Sequence, residues 1–405
     1  MNRELMPLME LAENQPRKIK RVGVIGGGQL AWMMAGAAES LGIELVVQTP
    51  GTTDPAAAIA AETILAPIDD AAATAQLARR CDAITFENEF VNLDALMPLA
   101  QQGVCFRPQL QVLAPLLDKY HQRCYLRDLG LPVPKFIAWE QETEPSKSPN
   151  PQIPASQPLG FPAVMKARRH GYDGQGTVIV KDAAQLESTW KKWGCPPVLL
   201  EEFVPFEREL AAIAARDAAG EISLYPIVET QQENQVCRRV IAPTFLEAPV
   251  VAEIEGIART LLESSQAVGL FGIELFLTGT GIVLVNEIAP RTHNSGHFTL
   301  DACFTSQFEQ HLRAVCDFPL GSPALTCAGA VMVNLLGFEN SRDDYVAKRQ
   351  QLAGIAGARV HWYGKSESRI GRKLGHVTVL LDAPQSRLRQ EALATAGTIE
   401  SIWYG

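Results

Sequence analysis

Several things are scarce in this chain of 405 residues, and each scarcity removes a class of protein. No C-x-x-C pair occurs. The eight cysteines (Cys81, Cys105, Cys124, Cys195, Cys237, Cys303, Cys316 and Cys327) are scattered. That fits reduced, structural thiols better than disulfides or zinc. No apolar run approaches the ~18 residues of a membrane span. Nor does an apolar core of signal-peptide length open the chain, so residues 1–20 read as a short extension of a soluble, cytoplasmic protein with no membrane partner. Positive charge is in deficit: a net charge of −9 argues against broad nucleic-acid binding, while leaving room for a local basic pocket. No internal repeat is present. What is there is 47% hydrophobic and long enough for several cores, so two to four domains are expected.

The chain opens its structured part with an apolar run at 21–25, the turn Gly26-Gly27-Gly28-Gln29-Leu30, a helical stretch to Leu41 and a second apolar run at 43–48. This strand, turn, helix, strand order starts a parallel α/β sheet. A further strand at 83–86 leads into Glu87-Asn88-Glu89, and a helix at 118–129 is stopped by Gly130. Residues 141–158, dense in Pro, Ser, Glu and Gln, read as an exposed linker. Strand-like runs at 163–166, 177–180 and 198–200 with a helix at 183–193 suggest a mobile lid. A helix at 252–268 precedes a hairpin, and β-prone runs at 330–336, 358–363 and 376–381 suggest a small final domain.

The hairpin carries the most chemistry. Apolar runs at 273–277 and 281–285 flank a Thr-Gly-Thr-Gly turn, and each holds or leads into one acid, Glu274 or Glu287. A carboxylate among apolar strand residues needs a compensating cation. Two on paired strands suit a hard divalent metal; a salt bridge to Arg291 is the alternative. Arg291, Asn294 and His297 follow as polar groups for an anionic reactant. A glycine-rich loop, Gly171-Tyr172-Asp173-Gly174-Gln175-Gly176-Thr177, follows Lys166, which can pair with phosphates while loop amides cover the rest. It is not a P-loop. In the Gly26–Leu30 turn, amides and a helix N-terminus can face an anion, but Ala31 and the missing acid after the second strand argue against a dinucleotide site. The segment Glu201-Glu202-Phe203-Val204 and Glu209 offer backbone groups for an adenine edge and a carboxylate for ribose hydroxyls. Lys365, Arg369, Arg372 and Lys373 crowd cations into one loop, as a phosphate monoester site requires or as a solvated hairpin allows.

In this order the blocks resemble the ATP-grasp superfamily, from about Arg21 to His376. The most specific parts are G-G-G-Q-L at 26–30, H-G-Y-D-G-Q-G at 170–176, N-E-I-A-P-R-T-H-N-S-G-H at 286–297 and G-R-K-L-G-H at 371–376. The resemblance is to the branch that uses ATP and bicarbonate to carboxylate the 5-amino group of 5-aminoimidazole ribonucleotide through carboxyphosphate. It implies a mixed α/β and α+β fold. Residues 21–118 would form a parallel pre-ATP-grasp domain and 119–325 the ATP-grasp domain, with a lid at about 160–228; residues 326–405 would form a small β-rich domain. It implies that Arg107, Lys166, Gly171 to Thr177, Glu201 to Val204, Glu209, Gln232 and Asn286 hold ATP, and that Glu274 and Glu287 hold Mg2+, the latter beside the nucleotide. Arg291 and Asn294 would face carboxyphosphate, with Asp173 or Glu87 as general base. Gly28, Gln29, Leu30, Glu87, Lys365, Arg372 and Lys373 would hold the ribonucleotide, and the protein would be a homodimer. Three departures stand out: Gln175 where arginine is frequent, Gln232 where histidine is usual, and Ala31-Trp32 where Gly-Arg is common. A formate-dependent glycinamide ribonucleotide transformylase and a non-catalytic nucleotide-binding regulator are the rival readings.

Overall fold

The computed structural model describes residues 19–140, 159–169, 171 and 176–405. They form three sheets. The first is parallel, with strands in the order Glu62–Leu65, Glu44–Thr49, Arg21–Ile25 and Ala83–Phe86. Alternation along its strands feeds two cores, as a sheet covered on both faces requires. Val22, Val24, Leu45 and Val47 pack with the helix Gln29–Leu41. Ile25, Val46, Ile84 and Phe86 pack on the other side with the helices Ala71–Ala78 and Leu93–Gln101. The Gly26–Leu30 turn and Glu87 leave the carboxyl ends of two adjacent strands, where parallel sheets place their ligands.

The second sheet is small and antiparallel: Phe136–Trp139, Val198–Glu202, Ala163–Ala167 and Thr177–Val180, covered by the helix Ala183–Lys192. It differs from the expected lid in two ways: it recruits Phe136–Trp139, and it ends at Glu202. The cause lies in the next strand, Phe206–Arg216, whose residues from Leu210 to Ala215 are all buried. A strand buried on both faces belongs in the middle of a large sheet.

That large sheet has nine antiparallel strands. Its path runs Val283–Ala289, Gly269–Thr278, Phe206–Arg216, Val228–Glu233, Val236–Ala242, Gly329–Leu336, Lys373–Leu381 and Ala358–Trp362; Ile222–Leu224 pairs with Phe206–Arg216 off this path. One face packs on the helix Ala248–Ser265 through Leu210, Ala212, Ile273 and Leu275. The other carries Ala211, Ile213 and Leu270 against Phe298 and Ala302.

The terminal segment therefore has no sheet of its own. Its strands extend the central one through the Ile241↔Val331 and Ala242↔Ala330 pairs. It also ends in a 20-residue helix, Gln385–Tyr404, which the β-rich expectation missed. Leu388, Ala392, Ala396, Ile399 and Trp403 give that helix a stripe at helical spacing, packed on the sheet. Trp403 is fully buried, and its indole N–H donates to the Leu336 carbonyl at 2.8 Å. Trp403→Ala should cost about 3–5 kcal/mol, through a cavity and an unpaired carbonyl. Urea denaturation would register this as a lowered midpoint; an unchanged midpoint would remove the helix from the core.

Candidate active site

The expected hairpin is present, formed by Gly269–Thr278 and Val283–Ala289, with Glu274 directly opposite Glu287. The second strand starts two residues later than the sequence pattern predicts, because Gly281 and Ile282 belong to the connection. A bulge follows the acidic pair: Leu275 faces Val285, which leaves Asn286 as the extra residue. This irregularity has a use. A regular ladder would turn Asn286 away from Glu287, whereas the bulge lets both serve one side. Asn286 Nδ2 donates to Glu274 Oε2 at 3.1 Å, while Leu275, Val283 and Val285 stay in the core behind.

Four cations and a histidine surround these groups. Lys166, on the Ala163–Ala167 strand, donates to Asn286 Oδ1 at 3.0 Å and pairs with Glu201 at 2.6 Å. Glu201, buried at the end of its strand, is also paired with Arg123, which donates to the Asn286 carbonyl as well. Lys119 pairs with Glu287. His293 Nε2 lies 3.4 Å from Glu274 Oε1, and Arg291 pairs with Glu89 at 2.8 Å. Glu209 joins on the next strand, where its neighbour Leu210 faces Leu275 and Ala211 faces Glu274.

Burial pushes the Glu201, Glu274 and Glu209 carboxyls upward, and the cations decide which of them yield. Arg123 and Lys166 overcome it at Glu201, holding that group down to about 2. At Glu274, His293, Lys119 and Lys166 likewise hold the carboxyl down to about 2. At Glu209, burial and the Glu274 charge outweigh the pull of Lys166 and push the carboxyl up to about 7. Burial also draws Lys166 below the usual lysine range, against the pull of Glu201. The oxygen-only donor set of Glu274, Glu287 and Asn286 fits a hard divalent cation.

A second cluster lies at the end of the parallel sheet. The Glu87 carboxylate sits inside the glycine turn, accepting from the Leu30 amide at 3.4 Å. A Cβ on Gly27 would lie 2.4 Å from Thr49 Oγ1 and 2.6 Å from its Cβ, so close packing demands glycine there; one on Gly28 would lie 2.3 Å from Glu87 Oε1 and would push that carboxylate aside. Burial raises the Glu87 carboxyl above its ordinary value, with Arg291 opposing. The terminal hairpin reaches the same place: Tyr363 shares a core with Leu30 and Met34, and its ring meets Trp32 edge-on at 6.2 Å. Two residues on, Lys365 Nζ donates to the Lys373 carbonyl at 2.7 Å; Arg372 Nη1 donates to the Glu367 carbonyl at 2.8 Å.

Other candidates sit differently. Arg107 stands apart from the Lys166 cluster, pairing with Asp317 at 2.6 Å and donating to the Val315 carbonyl at 2.8 Å. Asn294 spends both amide atoms on Asn334, at 3.0 and 2.7 Å. The Glu201 carboxylate, read from the sequence as a ribose acceptor, is taken by Arg123 and Lys166. The Glu202 carboxylate accepts from the Lys135 amide at 3.0 Å. Gln232 lies at a bulge opposite Cys237, two positions beyond Thr230, the partner of Glu209. Tyr172, Asp173, Gly174 and Gln175 lie outside the described residues; Gly171 and Gly176 lie within them, and the Gly176 carbonyl accepts from Ala167 at 2.7 Å. Lys119, Arg123 and His293 were not singled out from the sequence. For the first two the only local signal was the Asp118 cap that starts their helix, and for His293 its place between Arg291 and Asn294.

The match to family models follows this geometry. Residues 124–308 match the ATP-grasp domain, 19–115 the ribonucleotide synthetase preATP-grasp domain, and 330–390 the phosphoribosylaminoimidazole carboxylase C-terminal domain. Fold and site thus define an ATP-grasp protein of the ribonucleotide synthetase class. A Synechococcus elongatus N5-carboxyaminoimidazole ribonucleotide synthase is 54% identical over 386 residues, covering 95% of this chain and 96% of that relative. The crystal structure of the Thermotoga maritima synthetase aligns with a TM-score of 0.80 at 37% identity, covering 95% of this chain and 98% of that one. An Aspergillus clavatus synthase in complex with ADP and 5-aminoimidazole ribonucleotide aligns at 0.84 and 29% identity, with the same coverage of 95% and 98%. The chain belongs to the N5-carboxyaminoimidazole ribonucleotide synthase family.

Glu209 generates a pH prediction. In the fold it keeps a proton up to about pH 7, whereas in the unfolded chain it loses it near the ordinary value of 4.5. The folded state binds the extra proton between those values, so this group's contribution to stability declines as pH rises through that window. A magnesium nucleotide bound alongside should expel the proton. Calorimetric titration just below pH 7, in two buffers of different ionisation enthalpy, should show proton release that Glu209→Gln removes. Equal release in both proteins would contradict the assignment.

Proposed function

We propose that this protein carboxylates the 5-amino group of 5-aminoimidazole ribonucleotide, using ATP and bicarbonate. The observation that carries the reading is the acidic pair Glu274 and Glu287, set beside Lys166 and joined through Arg291 to the Glu87 cluster. Phosphoryl transfer needs positioning and charge neutralisation rather than a protein nucleophile, and this arrangement supplies both.

In the proposed sequence, a bicarbonate oxygen attacks the γ-phosphorus of ATP and the bond to the β-bridging oxygen breaks, giving ADP and carboxyphosphate. Lys166 would hold phosphate oxygens, with the 171–177 loop covering them. Glu274 and Glu287 would hold magnesium, which supplies charge stabilisation to the transferring group. Glu209 is the carboxylate left for the nucleotide, since Glu201 and Glu202 are engaged elsewhere. Carboxyphosphate releases phosphate as its carbon passes to the substrate amine, forming the N–C bond, and the amine proton leaves to a base. Glu87 suits that role because burial strengthens its hold on a proton; Asp173 is the other candidate. Arg291 and the Asn294 loop would line the carboxyphosphate side. Lys365, Arg372 and Lys373 would take the ribonucleotide phosphate, against the Gly28, Gln29 and Leu30 turn. A cytoplasmic homodimer is our reading of compartment and assembly.

A coupled ADP-release assay tests the reaction. Bicarbonate with 5-aminoimidazole ribonucleotide should stimulate release, whereas formate with glycinamide ribonucleotide should not; the reverse pattern would overturn the reading. In the same assay Glu287→Ala should abolish release at saturating substrates, and near-normal turnover would sink the metal assignment. Lys365→Ala should raise the ribonucleotide KM about tenfold or more, the loss expected for one charge-assisted hydrogen bond, and leave the ATP KM close to its starting value. An unchanged ribonucleotide KM would count against that site.

A further inference from the structure

The terminal hairpin that carries Lys365 and Lys373 also holds a set of side chains unused above. His361 and His376 are direct partners across the Ala358–Trp362 and Lys373–Leu381 strands, their rings stacked 4.5 Å apart. Asp301, on the short helix Thr299–Ala302, places Oδ2 2.9 Å from His361 Nε2. One ligating atom from each of Asp301, His361 and His376 falls within 4.8 Å of the others.

His376 is the informative member. Its side chain is fully buried and its Nδ1 is bonded to the Tyr363 hydroxyl at 2.8 Å, yet its Nε2 has no hydrogen-bond partner among the described residues. A buried polar atom left unpaired is costly. A metal would pair it, and the Tyr363 contact is the kind of anchor that a ligating histidine makes through its other nitrogen.

We propose that Asp301, His361 and His376 form a site for a borderline divalent cation, zinc being the first choice, separate from the magnesium pair Glu274 and Glu287. Imidazole donors separate the two sites by chemistry: oxygen-only sets suit magnesium, whereas two nitrogens and a carboxylate suit zinc or cobalt. Three protein ligands leave a fourth position for water. Tetrahedral bonds of about 2.0–2.2 Å set donor atoms about 3.3–3.6 Å apart, so the His361 and Asp301 atoms would open from 2.9 Å while any separation near the 4.8 Å limit closes. His361 and Asp301 are only partly buried, which gives them room to turn and gives the ion a way in. On binding, the His361 Nε2–Asp301 hydrogen bond is exchanged for two metal bonds, and the His361 proton moves to Nδ1. The ion would clamp the Thr299–Ala302 helix to the hairpin that presents Lys365 and Lys373.

Cobalt(II) tests this with a spectroscopic signature. The full chain, stripped with a chelator and held in excess magnesium, should bind one equivalent of cobalt. Its weak visible bands should appear without a thiolate charge-transfer band, which separates the site from the scattered cysteines. Zinc should displace the cobalt. Asp301→Asn and His361→Gln should each remove that equivalent while the circular dichroism stays native, and either variant suffices if the other misfolds. Absence of cobalt binding, a thiolate band, or full stoichiometry in a folded variant would overturn the proposal.

Discussion

Glu201 lies almost wholly out of solvent, with Arg123 on one side and Lys166 on the other. Those three side chains come from three different elements: the helix Lys119–Asp128 and two strands of the small sheet. Arg123 and Lys166 both continue to Asn286, the bulge residue of the central hairpin. The triad thus ties the small sheet to the large one at the point where the acids sit. Removing one member of such a buried set leaves an uncompensated charge, at a cost of about 3–5 kcal/mol. Its pH dependence has the opposite sign to that of Glu209. Glu201 is held down to about 2, so its stabilising effect is present above the ordinary carboxyl value and lost only as pH falls toward 2.

The central sheet makes this geometry possible. Its strands run on from the acidic hairpin through Gly329–Leu336 to the terminal strands, so one sheet carries both the metal-type acids and the loop with Lys365 and Lys373. Arg291 closes the circuit on the other side. It leaves the end of the hairpin, pairs with Glu89, and holds the Glu87 carboxyl against the upward push of burial. On the proposed reading, phosphate chemistry and ribonucleotide chemistry would be joined by a short stretch of chain, residues 287–291.

Much of this was legible in the sequence because it rests on local signals. The Glu274–Glu287 pairing followed from two apolar runs and a glycine turn, and the Lys119–Asp128 helix from its pattern and its Gly130 stop. What escaped depends on contacts distant in sequence. Nothing local says that Arg123 reaches Glu201 or Lys119 reaches Glu287, because each pairing spans far more chain than a single motif. The bulge at Asn286 has no residue signature; it is set by which side chains must share a face. The helix Gln385–Tyr404 was passed over because two of its five stripe positions are alanine, which reads weakly beside the strong β runs before it. The Gly26–Leu30 turn shows the reverse: Gly27 is required by packing on Thr49, and Gly28 leaves room for the Glu87 carboxylate, so the phosphate-turn pattern and the structural demand coincide.

Every cation of the site already faces a carboxylate: Arg123 and Lys166 share Glu201, Lys119 faces Glu287 and Arg291 faces Glu89. On the proposed reading, nucleotide phosphates and magnesium enter as opposite charges and exchange partners with these pairs. Glu287 would hold magnesium and Lys119 would turn to a phosphate oxygen, so no charge would be stranded at either stage. Glu201 would stay outside the exchange, holding Lys166 from behind while Lys166 faced the phosphates. Glu209 is the member left unbalanced, pushed up to about 7 by burial and by Glu274. A cation held at Glu274 would offset the smaller part of that push, the Glu274 charge, and leave the larger part, burial, in place; the ion-pair network would keep the other groups in register for it.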